Sequence, residues 1–156
     1  MGKIPLDLEF NLDPSINRVK QFYHKNGFNL THTSDNQSYY LLSLHDTSVG
    51  CFMAKPGAPL SYTGGYMWDP SKNSSYIVES LVIDKNHRKQ GLGTYMMSRY
   101  IALRAPDDVY LFVDIDNKPA ISVYDKLGFQ VVGNHATRPQ YLMRYQTRDN
   151  PVFYAL

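Results

Sequence analysis

An α/β fold of the α+β kind, built on a mixed sheet, is what this sequence predicts, and three observations carry it. Short β-branched and aromatic runs alternate with segments of helical periodicity. One such run, Leu81-Val82-Ile83, leads within a few residues into a loop with two closely spaced glycines, Gly91 and Gly93, and a helical pattern follows at once. The element order is strand, helix, an antiparallel run of strands, then strand-loop-helix, strand, helix and two closing strands, which suits a sheet paired in both senses.

Each element has a local cause. Residues 4–10 alternate weakly and read as a first strand. Asp13-Pro14 offers a capping carboxylate followed by proline at the first turn of a helix. Ile16, Val19, Phe22 and Tyr23 form the apolar face of that helix, and Gly27 stops it. Tyr39 to Leu44 and Val49 to Ala54 read as an antiparallel hairpin joined by a His45-to-Ser48 turn. Lys55 to Ser75 shows no period, and an irregular stretch of that length is either a functional lid or an insertion. Its aromatics, Tyr62, Tyr66 and Trp68, favour an ordered role. Tyr76 to Ile83 is the strand before the glycine loop. After the loop, Leu92, Met96, Tyr100 and Leu103 recur at helical spacing up to Pro106. Val109 to Ile115 is a strand, residues 118–127 a helix closed by Gly128, and Gln130 to Gly133 with Gln140 to Tyr145 a closing strand pair. No repeat or linker divides the chain, so residues 1–156 are expected to form one domain, long enough for a core without disulfides or metals.

Composition narrows the function classes. With 43% hydrophobic and 19% charged residues the chain has the make-up of a folded globular protein. A net charge of +2 gives no reason to expect a nucleic-acid or membrane partner. One cysteine, Cys51, excludes an internal disulfide and suits a reducing compartment. No apolar run approaches the ~20 residues of a membrane span, and Asp7 and Glu9 interrupt any signal-peptide core. A cytoplasmic protein is the expectation. The histidines have no metal-ligand spacing, so no metal site is expected. No Gly-x-Ser-x-Gly elbow occurs, so a serine hydrolase is not indicated. Thirteen tyrosines against one tryptophan and seven phenylalanines suit a ligand cleft and a half-exposed sheet equally.

The chemistry concentrates around Arg88-Lys89-Gln90-Gly91-Leu92-Gly93-Thr94. Glycines at the mouth of a helix leave backbone N–H groups unobstructed, and with the positive end of the helix dipole they make an anion site, most often for phosphate. The dinucleotide fingerprint fails, because Met96 stands where a third glycine belongs. A Walker loop fails too, since no Gly-Lys-Ser or Gly-Lys-Thr occurs. Downstream lies a second block, Asn117-Lys-Pro-Ala120-Ile-Ser-Val-Tyr124-Asp-Lys-Leu-Gly128-Phe129. Together the two blocks resemble the GNAT superfamily, the acetyl-CoA-dependent N-acetyltransferases. Arg88, Gly91 and Gly93 match its pyrophosphate loop, and Asn117, Ala120, Tyr124, Gly128 and Phe129 match its second signature in order and spacing. The resemblance covers residues 38–145. It implies the acyl-CoA N-acyltransferase fold, a central mixed and mostly antiparallel sheet flanked by helices.

The same resemblance implies a site. Leu81, Val82 and Ile83 pair with the pantetheine arm of acetyl-CoA, and amides from Arg88 to Thr94, with Lys89, Gln90 and Leu92 between, hold the pyrophosphate. Lys85, His87, Arg88 and Lys89 add positive charge. Tyr124 reaches the CoA sulfur and Asn117 binds nearby on the cofactor arm. A thiol titrates near ~8.5 and a tyrosine near ~10, so a phenol can share its proton with a departing thiolate. The amine needs a base as well, because with a pKa near ~10.4 only a few parts per ten thousand are neutral at pH 7, a deficit of roughly 4–5 kcal/mol. Glu79, two residues before Leu81, is near the place where many members carry a glutamate acting through water. Strand alternation puts it on the face of Leu81 and Ile83. Asp114 and Asp116 are the fallback, and some members use no dedicated base.

The implied function is N-acetyl transfer from acetyl-CoA to a primary amine of a small molecule, polyamine, protein or peptide, by direct attack in a ternary complex. A catalytically silent acyl-CoA-binding module of the same fold and another nucleotide-binding α/β domain are the competing classes. Tyr62, Tyr66, Trp68 and Asp69, with Tyr141 in the last strand, are the candidates for the amine side. No metal cofactor, nucleic acid or membrane is expected, and a homodimer is compatible with the chain.

Overall fold

The computed structural model describes residues 7–12, 14–30 and 36–147 of the 156. In chain order it holds β1 (Leu8–Leu12), α1 (Ile16–Lys25), β2 (Ser38–Leu44), β3 (Thr47–Tyr62), β4 (Gly65–Asp69), β5 (Ser75–Ile83), a single 3₁₀ turn (Lys85–His87), α2 (Leu92–Arg104), β6 (Asp108–Asp114), α3 (Lys118–Leu127), β7 (Gln130–Asn134) and β8 (Gln140–Tyr145). The fold is mixed α/β and mostly antiparallel. No helix among the described residues is long and apolar enough to cross a membrane. The expected strand at residues 4–10 falls partly outside the described residues, as does the expected cap Asp13. Ser15 stands at the N-cap of α1, without a side-chain capping bond.

The chain divides into two compact units, Met1–Ala54 with Glu79–Met96, and Lys55–Val78 with Met97–Leu156. β3, β5 and α2 each pass from one to the other. In the first unit β1 pairs antiparallel with β2, from Leu8 opposite Leu44 to Leu12 opposite Tyr40, and β2 pairs antiparallel with β3. The β2–β3 connection has only two residues, His45 and Asp46, with φ of 49° and 66°. That is the backbone twist a two-residue hairpin wants, achieved without glycine, and it is why the sequence suggested a longer turn. Beyond Asp46, β3 carries the chain back, and Asp84 N–H, at the end of β5, donates to Val49 O at 2.8 Å. α1 lays Val19, Phe22 and Tyr23 onto Leu41, Cys51 and Met53, with Phe28, Leu30, Tyr39 and Val82 around them.

The second unit corrects one expectation. Lys55 to Ser75 is not irregular: β3 continues to Tyr62 and β4 returns antiparallel, from Tyr62 opposite Gly65 to Ala58 opposite Asp69. Thr63 and Gly64 make the turn, with φ of 43° and 83°. Pro56 and Pro59 hid the strand, because proline removes ladder donors and argues against a strand in any sequence-based assignment. The rest of this unit orders its strands β5-β6-β8-β7. β5 runs parallel to β6 from Ser75 opposite Asp108 to Val78 opposite Leu111, and the pairing ends there although β5 continues to Ile83. β6–β8 and β7–β8 are antiparallel. Ile77, Tyr110 and Leu142 form one core cluster, packed by Tyr66, Trp68 and Phe112. Leu103, expected on the apolar face of α2, is 44% exposed; Met97 and Ile101 take the buried places instead.

Candidate active site

The first unit contains the glycine loop, and its geometry begins at Asp84. This residue follows β5, caps the 3₁₀ turn and is 2% exposed. Its Oδ2 accepts from Asn86 N–H at 3.3 Å and from His87 Nδ1–H at 3.0 Å, closing the 3₁₀ turn. Lys25 Nζ stands 3.8 Å from Oδ1. The hydrogen bond from His87, joined by the Asn86 amide and the Lys25 charge, holds the carboxyl below the ordinary carboxylate range despite its burial. Arg88 then folds back, and its Nε donates to Ile83 O at 3.0 Å. The chain turns sharply through Lys89 (φ 64°) and Gly91 (φ 78°), a conformation in which glycine carries no Cβ penalty.

What emerges from that turn is the head of α2 with its donors open. The first bond into the helix runs from Tyr95 N–H to Gly91 O at 3.0 Å. Among the described residues, no protein acceptor meets the backbone N–H groups from Arg88 to Thr94. Gly93 is not required by the protein's own packing: a Cβ there would meet Ile83 and Leu81 only at 3.9 Å, ordinary contact. Open donors, a helix terminus, a residue that leaves space above its amide and basic neighbours fit an anion such as a diphosphate.

Glu79 and Ser80 precede this loop on β5. Ser80 has φ of 55°, a left-handed conformation inside a strand. The strict two-residue alternation is therefore broken between Glu79 and Leu81, and the facing of Glu79 expected by counting back from Leu81 and Ile83 does not follow. Leu81 and Ile83 do share a face, both being neighbours of Gly93. Val82 packs with the α1 cluster, and the Glu79 charge bears on Tyr23 of that same cluster. Tyr23, wholly buried, donates its hydroxyl to Ser80 O at 2.8 Å.

The second unit contains Asn117 and Tyr124, and both helix ends around them are locally encoded. Asn117 caps α3, its Oδ1 accepting from Ala120 N–H at 3.3 Å, with Pro119 in the first turn. That leaves its Nδ2 for other partners. Gly128 closes the helix at φ of 112°, and the N–H groups of Gly128 and Phe129 bond to Asp125 O and Tyr124 O at 3.0 Å each. The closure brings the Phe129 ring edge-on to Tyr124 at 5.8 Å, and Phe129 packs in turn on Tyr145. Burial pushes the Tyr124 phenol up, so it stays protonated at neutral pH. Among the described residues nothing hydrogen-bonds its hydroxyl. Asp114, one of the fallback bases, accepts from Gln140 Nε2 at 3.0 Å, and Asp116 is exposed.

The candidates for the amine side are unequally engaged. Tyr62 ends β3 and is 54% exposed. Tyr66 lies against Gly133, where a Cβ would come within 2.5 Å of its ring, and its carbonyl accepts from Ala136 N–H at 2.8 Å. Trp68 donates Nε1–H to Pro56 O at 3.2 Å and packs on Tyr110 with ring centroids 5.7 Å apart. Asp69 bonds to Ser71 in the following turn, and Tyr141 is half-buried in β8 opposite Val113. Sequence reasoning missed Asp84 and the hydroxyl of Tyr23. For Asp84 a signal existed, an aspartate two residues before Asn86 at the start of a turn; for Tyr23 there was none beyond its place on an apolar face.

A family model described as the acetyltransferase (GNAT) family matches residues 12–129, more than half of the chain. No curated protein matches the sequence. Among solved structures the chain is similar to Arabidopsis thaliana NAA60 in complex with acetyl-CoA, at 20% identity and a TM-score of 0.61, covering 88% of this chain and 97% of that one. It is similar to Arabidopsis thaliana Naa50 in complex with the bisubstrate analogue CoA-Ac-MVNAL, at 15% identity and a TM-score of 0.62, covering 89% and 98%. The ribosomal-protein-S18-alanine N-acetyltransferase from Escherichia coli is similar at 13% identity and a TM-score of 0.63, covering 88% and 92%. At these identities the likeness is one of fold.

Proposed function

The chain belongs to the GNAT acetyltransferase family, and from that premise we propose that it moves an acetyl group from acetyl-CoA to a primary amine by direct attack in a ternary complex. The observation that carries the proposal is the set of unpartnered backbone N–H groups from Arg88 to Thr94, which suits the pyrophosphate of acetyl-CoA. Leu81, Val82 and Ile83 are assigned to the pantetheine arm, and Asn117, through the Nδ2 that its capping role leaves over, to the cofactor as well.

The reaction then needs three movements. The amine nitrogen attacks the thioester carbonyl, the C–S bond breaks, and the sulfur takes the proton of the Tyr124 hydroxyl. Burial keeps that hydroxyl protonated until it is used. Glu79 is assigned, through a water, to the proton that the ammonium loses before attack, and the second nitrogen proton leaves for solvent as the C–S bond breaks. The phenolate left on Tyr124 is reprotonated from solvent before the next turnover.

Two neighbours support a protein or peptide amine as the acceptor: one is in complex with the bisubstrate analogue CoA-Ac-MVNAL, and one is by name a ribosomal-protein-S18-alanine N-acetyltransferase. Tyr62, Tyr66, Trp68 and Tyr141 are assigned to the amine side. Tyr62 and Tyr141 are the stronger of the four, since Tyr66 and Trp68 are already engaged in packing. A cytoplasmic setting accords with the single thiol, Cys51. The test is a panel of peptides and small amines offered with acetyl-CoA, read as free CoA released. Turnover with at least one amine is expected; acetyl-CoA binding without turnover on any would turn the assignment to a silent acyl-CoA-binding module.

A further inference from the structure

Five non-glycine residues have positive φ among the described residues: His45, Asp46, Thr63, Ser80 and Lys89. Four belong to hairpin turns or to the glycine loop, where such a conformation closes a tight reversal. Ser80 alone lies inside a strand. A left-handed L-residue is sterically disfavoured, and a strand has no turn to close, so a partner elsewhere has to hold it.

That partner comes from α1. The Tyr23 hydroxyl donates to Ser80 O at 2.8 Å across 57 residues of chain. Its ring is wedged between Phe28 and Phe22, with centroids 4.9 Å and 6.1 Å away, and Tyr23 is 0% exposed. Cys51 of β3, equally buried in the same cluster, turns its thiol to Phe52 O at 3.9 Å, and burial pushes that thiol up to about 12. Burial raises the phenol still further, so Tyr23 remains a donor throughout the physiological range.

The kink stands at a consequential place. β5 pairs with β6 only as far as Val78, and the strand beyond carries Glu79 on one side of Ser80 and Leu81 to Ile83 on the other. We propose that Tyr23 is a positioning residue whose hydroxyl holds Ser80 in its left-handed conformation and thereby sets how Glu79 and the 81–83 backbone are presented. The catalytic consequence rests on the acetyl-transfer function proposed above; the structural part does not.

Tyr23→Phe removes the hydroxyl and keeps the ring. Backbone amide exchange at residues 79–83 is expected to accelerate, and acetyl-CoA affinity by calorimetry to fall about tenfold, the scale of one buried hydrogen bond. Adding Ser80→Gly supplies a residue that adopts positive φ without help, so the double variant is expected to recover most of both losses. A tyrosine that merely packs the core would not be rescued at Ser80. Unchanged exchange in Tyr23→Phe, or losses that Ser80→Gly leaves in place, overturns the inference. Because exchange is read without any amine, a wild-type protein inactive on every amine would count against the acetyl-transfer proposal and leave this test decisive.

Discussion

Replacing Tyr124 by phenylalanine separates chemistry from packing more cleanly than any other change in this protein. The hydroxyl has no hydrogen-bond partner among the described residues, while the ring lies edge-on to Phe129 at 5.8 Å, a contact phenylalanine keeps. Stability should therefore change by no more than about 0.5 kcal/mol, a melting shift of about 1–2 °C for a chain of this size. Acetyl-CoA affinity should stay within about twofold, since the ring and the glycine loop are untouched. Turnover should fall by about two to four powers of ten, equivalent to about 3–5 kcal/mol of barrier, because the departing thiolate loses its proton donor. The pH profile adds a sign. Burial raises the phenol above its ordinary ~10, so the wild-type rate should show no alkaline fall from this group below that pH. The assay is initial-rate release of CoA at saturating acetyl-CoA and amine, with single-turnover measurements to establish that chemistry limits. An unchanged single-turnover rate would refute the assignment of Tyr124 as the acid.

Three further changes probe other parts. Gly91→Asp places a carboxylate and a side chain at φ of 78° in front of the open amides, so acetyl-CoA binding by calorimetry should vanish; undiminished affinity would remove the loop from the site. The Asp84 carboxyl is held below its ordinary range, chiefly by His87, so it stabilises the fold above the unfolded value of ~3.9 and the stabilisation is lost as pH falls through the lower folded value. Urea midpoints of Asp84→Asn should therefore fall less than those of the wild type below about pH 4, and parallel curves would contradict the assigned linkage. Trp68→Ala removes the ring contact with Tyr110 and the bond to Pro56 O, which should cost about 3 kcal/mol of stability, or roughly 6–12 °C in melting temperature. An amine KM raised about tenfold beside that loss would support the place of Trp68 on the acceptor side, and an unchanged KM would leave it to packing alone.

How much was legible depended on the range of the interactions involved. Asn117, Pro119 and Gly128 announce both ends of α3, and each acts within four residues of itself. The glycine loop was legible for the same reason, since its φ values and open amides belong to a stretch of seven residues. The β3–β4 hairpin was not, because Pro56 and Pro59 contradict a strand locally and only pairing with Trp68 and its neighbours overrides them. Leu103 matched the helical period yet stands exposed, because a period identifies a face without saying how wide the covered stripe will be.

The sequence by itself determined the element order outside the β3–β4 hairpin, the glycine turn at the head of α2 and the capped helix that carries Tyr124, because capping, glycine conformation and hydrophobic period are properties of neighbours along the chain. Only the tertiary structure decided the environment of Glu79. Its facing depends on one residue, Ser80, adopting a conformation its own sequence disfavours, and the hydroxyl bonded to that residue lies 57 positions away on α1. The same holds for Asp84, whose neighbour Lys25 comes from α1 and whose backbone N–H bonds to Val49 O of β3, both outside the loop it organises. Local rules can say that a strand leads into a loop; which way its side chains face once the alternation breaks is set by what packs against it.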